Sequence, residues 1–415
     1  MKVEDAIDTC IQCGFCLQAC PTYRLFGREE SSPRGRIARL KDVLAGQAEA
    51  TPETLATFSE CLGCRACEAA CPSGVAYETV LLVGRERLRS LQPPGPLAER
   101  SLLRVVRSTV LLAAAKALWR RAGRRIVALA GGSGRASSAV RLLAALPPPQ
   151  DVPDVAPRAG AAVQVHRGCL MDAVWPQTNA RAVLMLRDAG VAADLLPASA
   201  GCCGALHAHQ GDLPAARAMA MRVIEAFEAS GGEILVSLAG GCAAHLRTYG
   251  ELLAEEPLWA QRGRRLAAAV RDAASLLAER GVRVEAGTEA IRTYQDSCHL
   301  RNGLGVQSEP RSLLGGPGYR EMPSAGECCG SAGIYNLLRP DVSDRILAAK
   351  VREVRELGAA TVVTANPGCE LQWRLGALED GGAFEVRHLV DWLWEQRTPR
   401  DGAPCEGAAR VQSVE

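Results

Sequence analysis

The chain has 415 residues, 48% of them hydrophobic, with 17 cysteines and a formal net charge of +2. A chain of this length builds roughly two to four domains and a core that needs no disulfide staples, which excludes a short secreted cysteine scaffold. The net charge says nothing about nucleic acid, and no nucleic-acid partner is expected.

No apolar run reaches the roughly 18 residues expected of a membrane span. The first residues, Met1-Lys-Val-Glu-Asp-Ala-Ile-Asp8, carry acids where a signal peptide carries cations. The expected location is therefore cytoplasmic, with any membrane association peripheral, on the inner face of the cytoplasmic membrane.

The first motif is Cys10-Ile-Gln-Cys13-Gly-Phe-Cys16-Leu-Gln-Ala-Cys20-Pro21, and Cys61-Leu-Gly-Cys64-Arg-Ala-Cys67-Glu-Ala-Ala-Cys71-Pro72 repeats it. In a C-x-x-C-x-x-C-x-x-x-C-P run, three thiolates wrap one cubane and the fourth reaches the neighbouring cluster, so each motif needs the other. On that reading Cys10, Cys13, Cys16 and Cys71 hold one [4Fe–4S] cluster, and Cys61, Cys64, Cys67 and Cys20 hold the second. Zinc would be satisfied by pairs of C-x-x-C and would leave the third cysteine of each triplet and the Cys-Pro without purpose.

Between the motifs, Ser32-Pro33-Arg34-Gly35-Arg36 turns the chain. Ile37, Leu40, Val43 and Leu44 then fall at helical spacing, and Thr51-Pro52-Glu53 reads as an N-cap with Pro at the first helical position. This predicts an α-helical ferredoxin-like domain over residues 1–92. Arg34 and Arg36 read either as cations offsetting cluster charge or as part of a solvated turn.

Gln92-Pro-Pro-Gly-Pro96 marks a boundary, and residues 93–158 form a basic helical linker with ten Lys or Arg and no Asp or Glu between Arg100 and Gln150. Such a stretch lies on an anionic membrane or acidic partner, or packs on the domain behind it. Within it, Gly131-Gly132-Ser133-Gly134 with Asp151 downstream imitates a dinucleotide fingerprint. No β-α-β frame surrounds it and Ser137 stands where the third glycine belongs, so it reads as flexible turns.

A second repeat follows, with Cys169, Cys202-Cys203-Gly204 and Cys242 answered by Cys298, Cys328-Cys329-Gly330 and Cys369, at offsets of 129, 126 and 127 residues. Strands over 161–166, 191–196, 233–238, 291–295 and 361–364, with helices near 176–189, 213–229 and 340–357, make each copy an α/β unit: 159–285 and 286–396, followed by a flexible tail, 397–415. The cysteines then fall at the ends of strands, where a parallel sheet binds ligands. Gly204 and Gly330 are expected at positive φ, letting backbone approach a metal group closely. A third metal centre is expected on Cys169, Cys202, Cys203, Cys242 and His245, on Cys298, Cys328, Cys329 and Cys369, or on both. A dithiol framework that only packs is the competing reading. His166 and His299 lie near the first cysteine of their copies, and Cys405 fits no pattern.

The chain resembles one family through Cys13-Gly-Phe-Cys16, Cys20-Pro-Thr-Tyr23, Pro33-Arg-Gly-Arg36, Cys71-Pro-Ser-Gly74, Gly201-Cys-Cys-Gly204, Cys328-Cys-Gly-Ser-Ala-Gly333 and Thr364-Ala-Asn366. It is the iron–sulfur subunit of glycolate dehydrogenase, or glycolate oxidase, within the wider family of Cys-Cys-Gly domain iron–sulfur proteins. The resemblance implies an electron-transfer subunit of a flavin-dependent 2-hydroxy-acid dehydrogenase. FAD is then carried by partner dehydrogenase subunits, and electrons pass towards a quinone or other membrane acceptor. No catalytic residue is expected on this chain. Relatives serving lactate or glycerol-3-phosphate oxidation, and heterodisulfide reductases, share the Cys-Cys-Gly pair and supply the alternative functions. In the reductases each copy ends in C-x-x-C, whereas here His245 and Gln372 hold the last position.

Overall fold

The computed structural model describes residues 3–91, 97–131, 137–282 and 290–397. The expected boundaries at 92/93 and 285/286, the glycine turn at 132–136 and the tail beyond Arg397 with Cys405 lie outside the described residues.

The N-terminal domain is helical, as expected. Pro33 occupies the first turn of a helix, Pro33–Leu44, whose N-cap Ser32 accepts the Gly35 amide at 2.9 Å. The Ser32–Arg36 segment is thus the start of the helix rather than a separate turn. Thr51 caps Pro52–Ser59 in the same way, accepting from Thr54 N at 3.2 Å. Phe58, Leu40, Val80 and Leu81 close a core between these helices and Tyr77–Leu88.

The linker is helical too, in segments Leu97–Arg107, Thr109–Gly131 and Ser138–Ala145. The helix through Gly131 leaves no strand for a dinucleotide fold. Val106 and Leu112 enter the core of the first copy. Lys116 pairs with Asp172, and Arg141 reaches Asp344 at 2.8 Å on the second copy. The linker therefore packs on both copies, while Leu118 and Leu129 on its long helix stay exposed.

The first copy is a parallel sheet in the order β2-β1-β3-β4, built from β1 (Val163–His166), β2 (Ala193–Leu195), β3 (Ile234–Ser237) and β4 (Val270–Asp272). The second is β5-β6-β7, from β5 (Arg292–Gln295), β6 (Thr361–Thr364) and β7 (Glu385–His388). β1 and β5 are buried along their whole length, as parallel strands covered by helices must be. Two strands, β4 and β7, extend each sheet beyond the expected set. The counterpart of β2 in the second copy shrinks to one bridge, Arg292 to Tyr319. In the first copy the chain leaves β1 for β2 on one side and returns to β3 on the other, so a crevice opens at the carboxyl ends of β1 and β3.

The copies face each other through these edges. His388 Nε2 lies 2.9 Å from the Leu238 carbonyl, Gly240 N donates to Ala365 O at 3.2 Å, and Gly241 N donates to Asn366 Oδ1 at 3.1 Å. The N-terminal domain sits on both copies. Arg24 and Glu327 pair at 2.7 Å, Tyr335 Oη donates to Glu60 O at 3.0 Å, and Arg85 Nη1 donates to His209 O at 2.7 Å.

Candidate metal centre

In the N-terminal domain the backbone bends around each motif in the same way. Gln12 and Gly14 flank Cys13 at φ 59° and 87°, and Gly63 and Arg65 flank Cys64 at 62° and 60°. A non-glycine residue in this region costs of order 1–3 kcal/mol, and such strain gathers where a loop must wrap a ligand. Two cavities result. The first is lined by Cys10, Cys13, Cys16 and Cys71, and the second by Cys20, Cys61 and Cys64. Cys67 lines both. The last cysteine of each motif thus lines the cavity of the other.

The donor chemistry fits clusters. Every described cysteine is a free thiol. Burial, then Cys298, pushes the Cys64 thiol well up, and burial, then Cys64, does the same for Cys67. Such thiols ionise only beside a cation, which ligated iron supplies. Arg36 also bears on the second cavity. It is 0% exposed, donates from Nε to Thr57 O at 2.6 Å and from Nη2 to Thr22 Oγ1 at 3.1 Å, and leaves Nη1 buried without a partner. Its burial rules out the solvated-turn reading for Arg36, and a cation with an orphaned donor beside four thiols suits an anionic occupant. Arg34 lies at the first cavity, tied to Glu29 at 2.7 Å and to Gln12 O at 3.0 Å.

The two cavities differ in depth. Cys20, Cys61, Cys64 and Cys67 are buried, whereas Cys13 is exposed and Cys10, Cys16 and Cys71 are half-buried. Ile11 and Phe15, both 68% exposed, stand at the mouth of the first cavity.

Each duplicated copy links its four thiols through successive contacts. Cys169 contacts Cys202, Cys202 contacts Cys203, and Cys203 contacts Cys242. Cys298, Cys328, Cys329 and Cys369 repeat the arrangement. Cys169, Cys242 and Cys369 lie in the first turns of helices that follow β1, β3 and β6, rather than on the strand ends themselves. Gly204 and Gly330 take φ of 91° and 92°, and their amides approach Cys202 Sγ at 3.5 Å and Cys328 Sγ at 3.4 Å. A Cβ at either would lie 3.1 Å from Ala216 O or 3.0 Å from Ser343 O, so only glycine fits the turn comfortably.

The last positions differ between copies. Gln372 is consumed by hydrogen bonds, accepting from Asn336 Nδ2 and donating to Ser343 Oγ, each at 2.8 Å. His245 is buried with both ring nitrogens unpartnered, its ring edge-on to Tyr249 at 5.6 Å. Burial first, then His299 of the other copy, holds it neutral with a pKa of about 4. His166 is buried on β1. Sequence spacing did not point to Glu78 or His209, which the fold brings beside His299.

Residues 6–75 match the 4Fe-4S dicluster domain, and residues 163–247 and 292–374 each match the cysteine-rich domain. A probable glycolate oxidase iron-sulfur subunit of Bacillus subtilis (strain 168) is 37% identical over 424 aligned residues, covering 94% of each chain. The chain belongs to the family of glycolate oxidase iron–sulfur subunits. A second member of the family, from Escherichia coli (strain K12), is 31% identical over 94% of both chains. Lactate utilization protein A of Halalkalibacterium halodurans is 29% identical over 56% of this chain. An N-terminal dicluster domain precedes two cysteine-rich repeats, and the chain is an iron–sulfur component of oxidoreductase chemistry. No helix among the described residues is long and apolar enough to cross a membrane.

Proposed function

We propose that the chain relays electrons from a partner flavoprotein that oxidises glycolate or a related 2-hydroxy acid towards a quinone. The observation that carries this reading is the pair of thiol-lined cavities sharing Cys67, one at the surface and one buried. Cys10, Cys13, Cys16 and Cys71 hold one [4Fe–4S] cluster, and Cys61, Cys64, Cys67 and Cys20 the other, within a domain spanning 1–92. When bound, each cluster takes one electron, so two neighbouring clusters match the two electrons a reduced flavin delivers. Exposed Ile11 and Phe15 give the FAD-bearing subunit an apolar place to dock beside the outer cluster.

The route continues inward. Cys64 shares one buried apolar cluster with Leu62, Cys328 and Tyr335, against which Cys298 packs. The second copy, with Cys298, Cys328, Cys329 and Cys369, is therefore the seat for a third centre that packs against the inner cavity, and the first copy, with Cys169, Cys202, Cys203 and Cys242, offers a second such seat. At Cys203 and Cys329 the hydrogen bond with the vicinal Cys202 or Cys328 lowers the pKa, but the hydrogen bond with Cys242 or Cys369 and burial outweigh it and push these two thiols well up, which makes them poor nucleophiles and disfavours direct disulfide reduction. Leu111, Leu118 and Leu129 share an exposed face of the basic linker helix and supply a peripheral contact with the inner membrane face, where a quinone is reached. Glycolate is favoured over lactate because the relatives named for glycolate oxidase align over 94% of the chain.

A tagged chain, purified anaerobically with its partners, tests the reading. The flavoprotein should copurify, and added glycolate should produce the EPR signals of reduced clusters only in its presence. Copurification without a flavoprotein, or clusters that glycolate leaves oxidised in the complex, would overturn it.

A further inference from the structure

Three domains converge on one polar junction outside the cysteine sites. Glu78 stands in the first turn of Tyr77–Leu88, His209 ends the short helix after the first Cys-Cys-Gly turn, and His299 follows Cys298 in the second copy. One ligand atom from each lies within 4.8 Å of the others. The two imidazoles are stacked, with centroids 5.5 Å apart and planes inclined by 16°. His299 Nε2 is buried and has no hydrogen-bond partner.

The neighbouring charge is arranged around that group. Arg65 holds Glu78 Oε2 at 2.7 Å and Glu68 Oε2 at 2.6 Å, so its guanidinium is matched by two carboxylates. Arg65 occupies one oxygen of Glu78 and a carboxylate has a second to offer. Two imidazoles and one carboxyl group form a donor set for zinc or ferrous iron, with a further coordination position for water. An imidazole nitrogen buried without a partner is unfavourable, and a bound ion would relieve it.

We propose that Glu78, His209 and His299 bind one divalent first-row transition ion, zinc or ferrous iron, that ties the dicluster domain to both cysteine-rich copies. Each domain contributes one ligand, so the site forms only when the three are docked. The site is separate from every cysteine centre and independent of the substrate of the complex.

The test uses the full chain purified anaerobically, with zinc, iron and acid-labile sulfide measured per chain. Cubane clusters contain iron and sulfide in equal number, so a non-cluster iron appears as an excess of about one iron over sulfide. The expected result is about one zinc, or about one excess iron, which His209→Gln and Glu78→Gln each lower at least about tenfold in occupancy while sulfide stays constant. Should a variant also lose sulfide, X-ray absorption of the wild-type chain decides between the outcomes. A zinc edge with only nitrogen and oxygen neighbours, or for iron a nitrogen and oxygen shell beyond the sulfur-ligated fraction, supports the site. No zinc with iron equal to sulfide, a zinc shell of sulfur alone, or an ion retained by His209→Gln with sulfide intact would overturn it.

Discussion

Asn302 of the second cysteine-rich copy donates from Nδ2 to the backbone carbonyl of Cys64, across 2.8 Å. The bond pins the loop that wraps the buried cavity to the copy that carries Cys298 and Cys328. Asn302→Ala leaves that carbonyl without its donor and should destabilise the chain by about 1–2 kcal/mol. Thermal unfolding checks this; an unchanged midpoint would mean that the contact contributes nothing.

The crossed cavities make a pairing prediction. Cys71→Ser should remove the same EPR signal as Cys10→Ser, and Cys20→Ser the same signal as Cys64→Ser, each with a loss of about four irons per chain. Loss of one signal by both Cys10→Ser and Cys20→Ser would contradict the crossed ligation.

Arg36 is a buried cation at the inner cavity. Arg36→Met takes away the donors to Thr57 O and Thr22 Oγ1 and should destabilise the domain by about 1–3 kcal/mol. It also removes positive charge beside a group that gains an electron. The reduction potential of the inner cluster should therefore move negative in an EPR-monitored titration, while that of the outer cluster moves less.

Phe15 is 68% exposed at the mouth of the outer cavity. Phe15→Ser should weaken flavoprotein binding by about tenfold or more, the effect of losing an aromatic anchor, with iron content unchanged. Binding measured by biolayer interferometry at full affinity would place the docking surface elsewhere.

Burial holds His166 neutral, with a pKa lowered from 6.5 to about 4. Unfolded chains take up the proton first as pH falls, so the stabilisation is fully present above about pH 6.5. It is lost at about 1.4 kcal/mol per pH unit towards pH 4. His166→Leu should flatten the pH dependence of the unfolding midpoint between 7.5 and 5.5; an unchanged slope would show that this group does not set it.

Much of the architecture was legible from local pattern. The strands that became β1, β3, β5 and β6 and the helix Pro340–Leu357 follow from apolar runs and periodicity. β4, Val-Arg-Asp, and β7, Glu-Val-Arg-His, were not legible, because short polar edge strands carry no alternation distinct from a loop. The linker was legible as basic and helical, but not that Val106 and Leu112 would enter a core while Leu118 and Leu129 face outward.

By itself the sequence determined the two cysteine triplets, because thiols three residues apart on a short loop are brought together by covalent geometry whatever the rest of the chain does. The duplication was equally explicit, since repeated spacing survives independent of packing. Only the tertiary structure decided that Arg36 is buried, that Gln372 is consumed in a hydrogen-bond network, that the second copy lies against Cys64, and that Glu78, His209 and His299 meet. Those residues lie far apart in the chain, and their distances are set by how three separately folded domains dock, a sum of many weak contacts that no local pattern encodes.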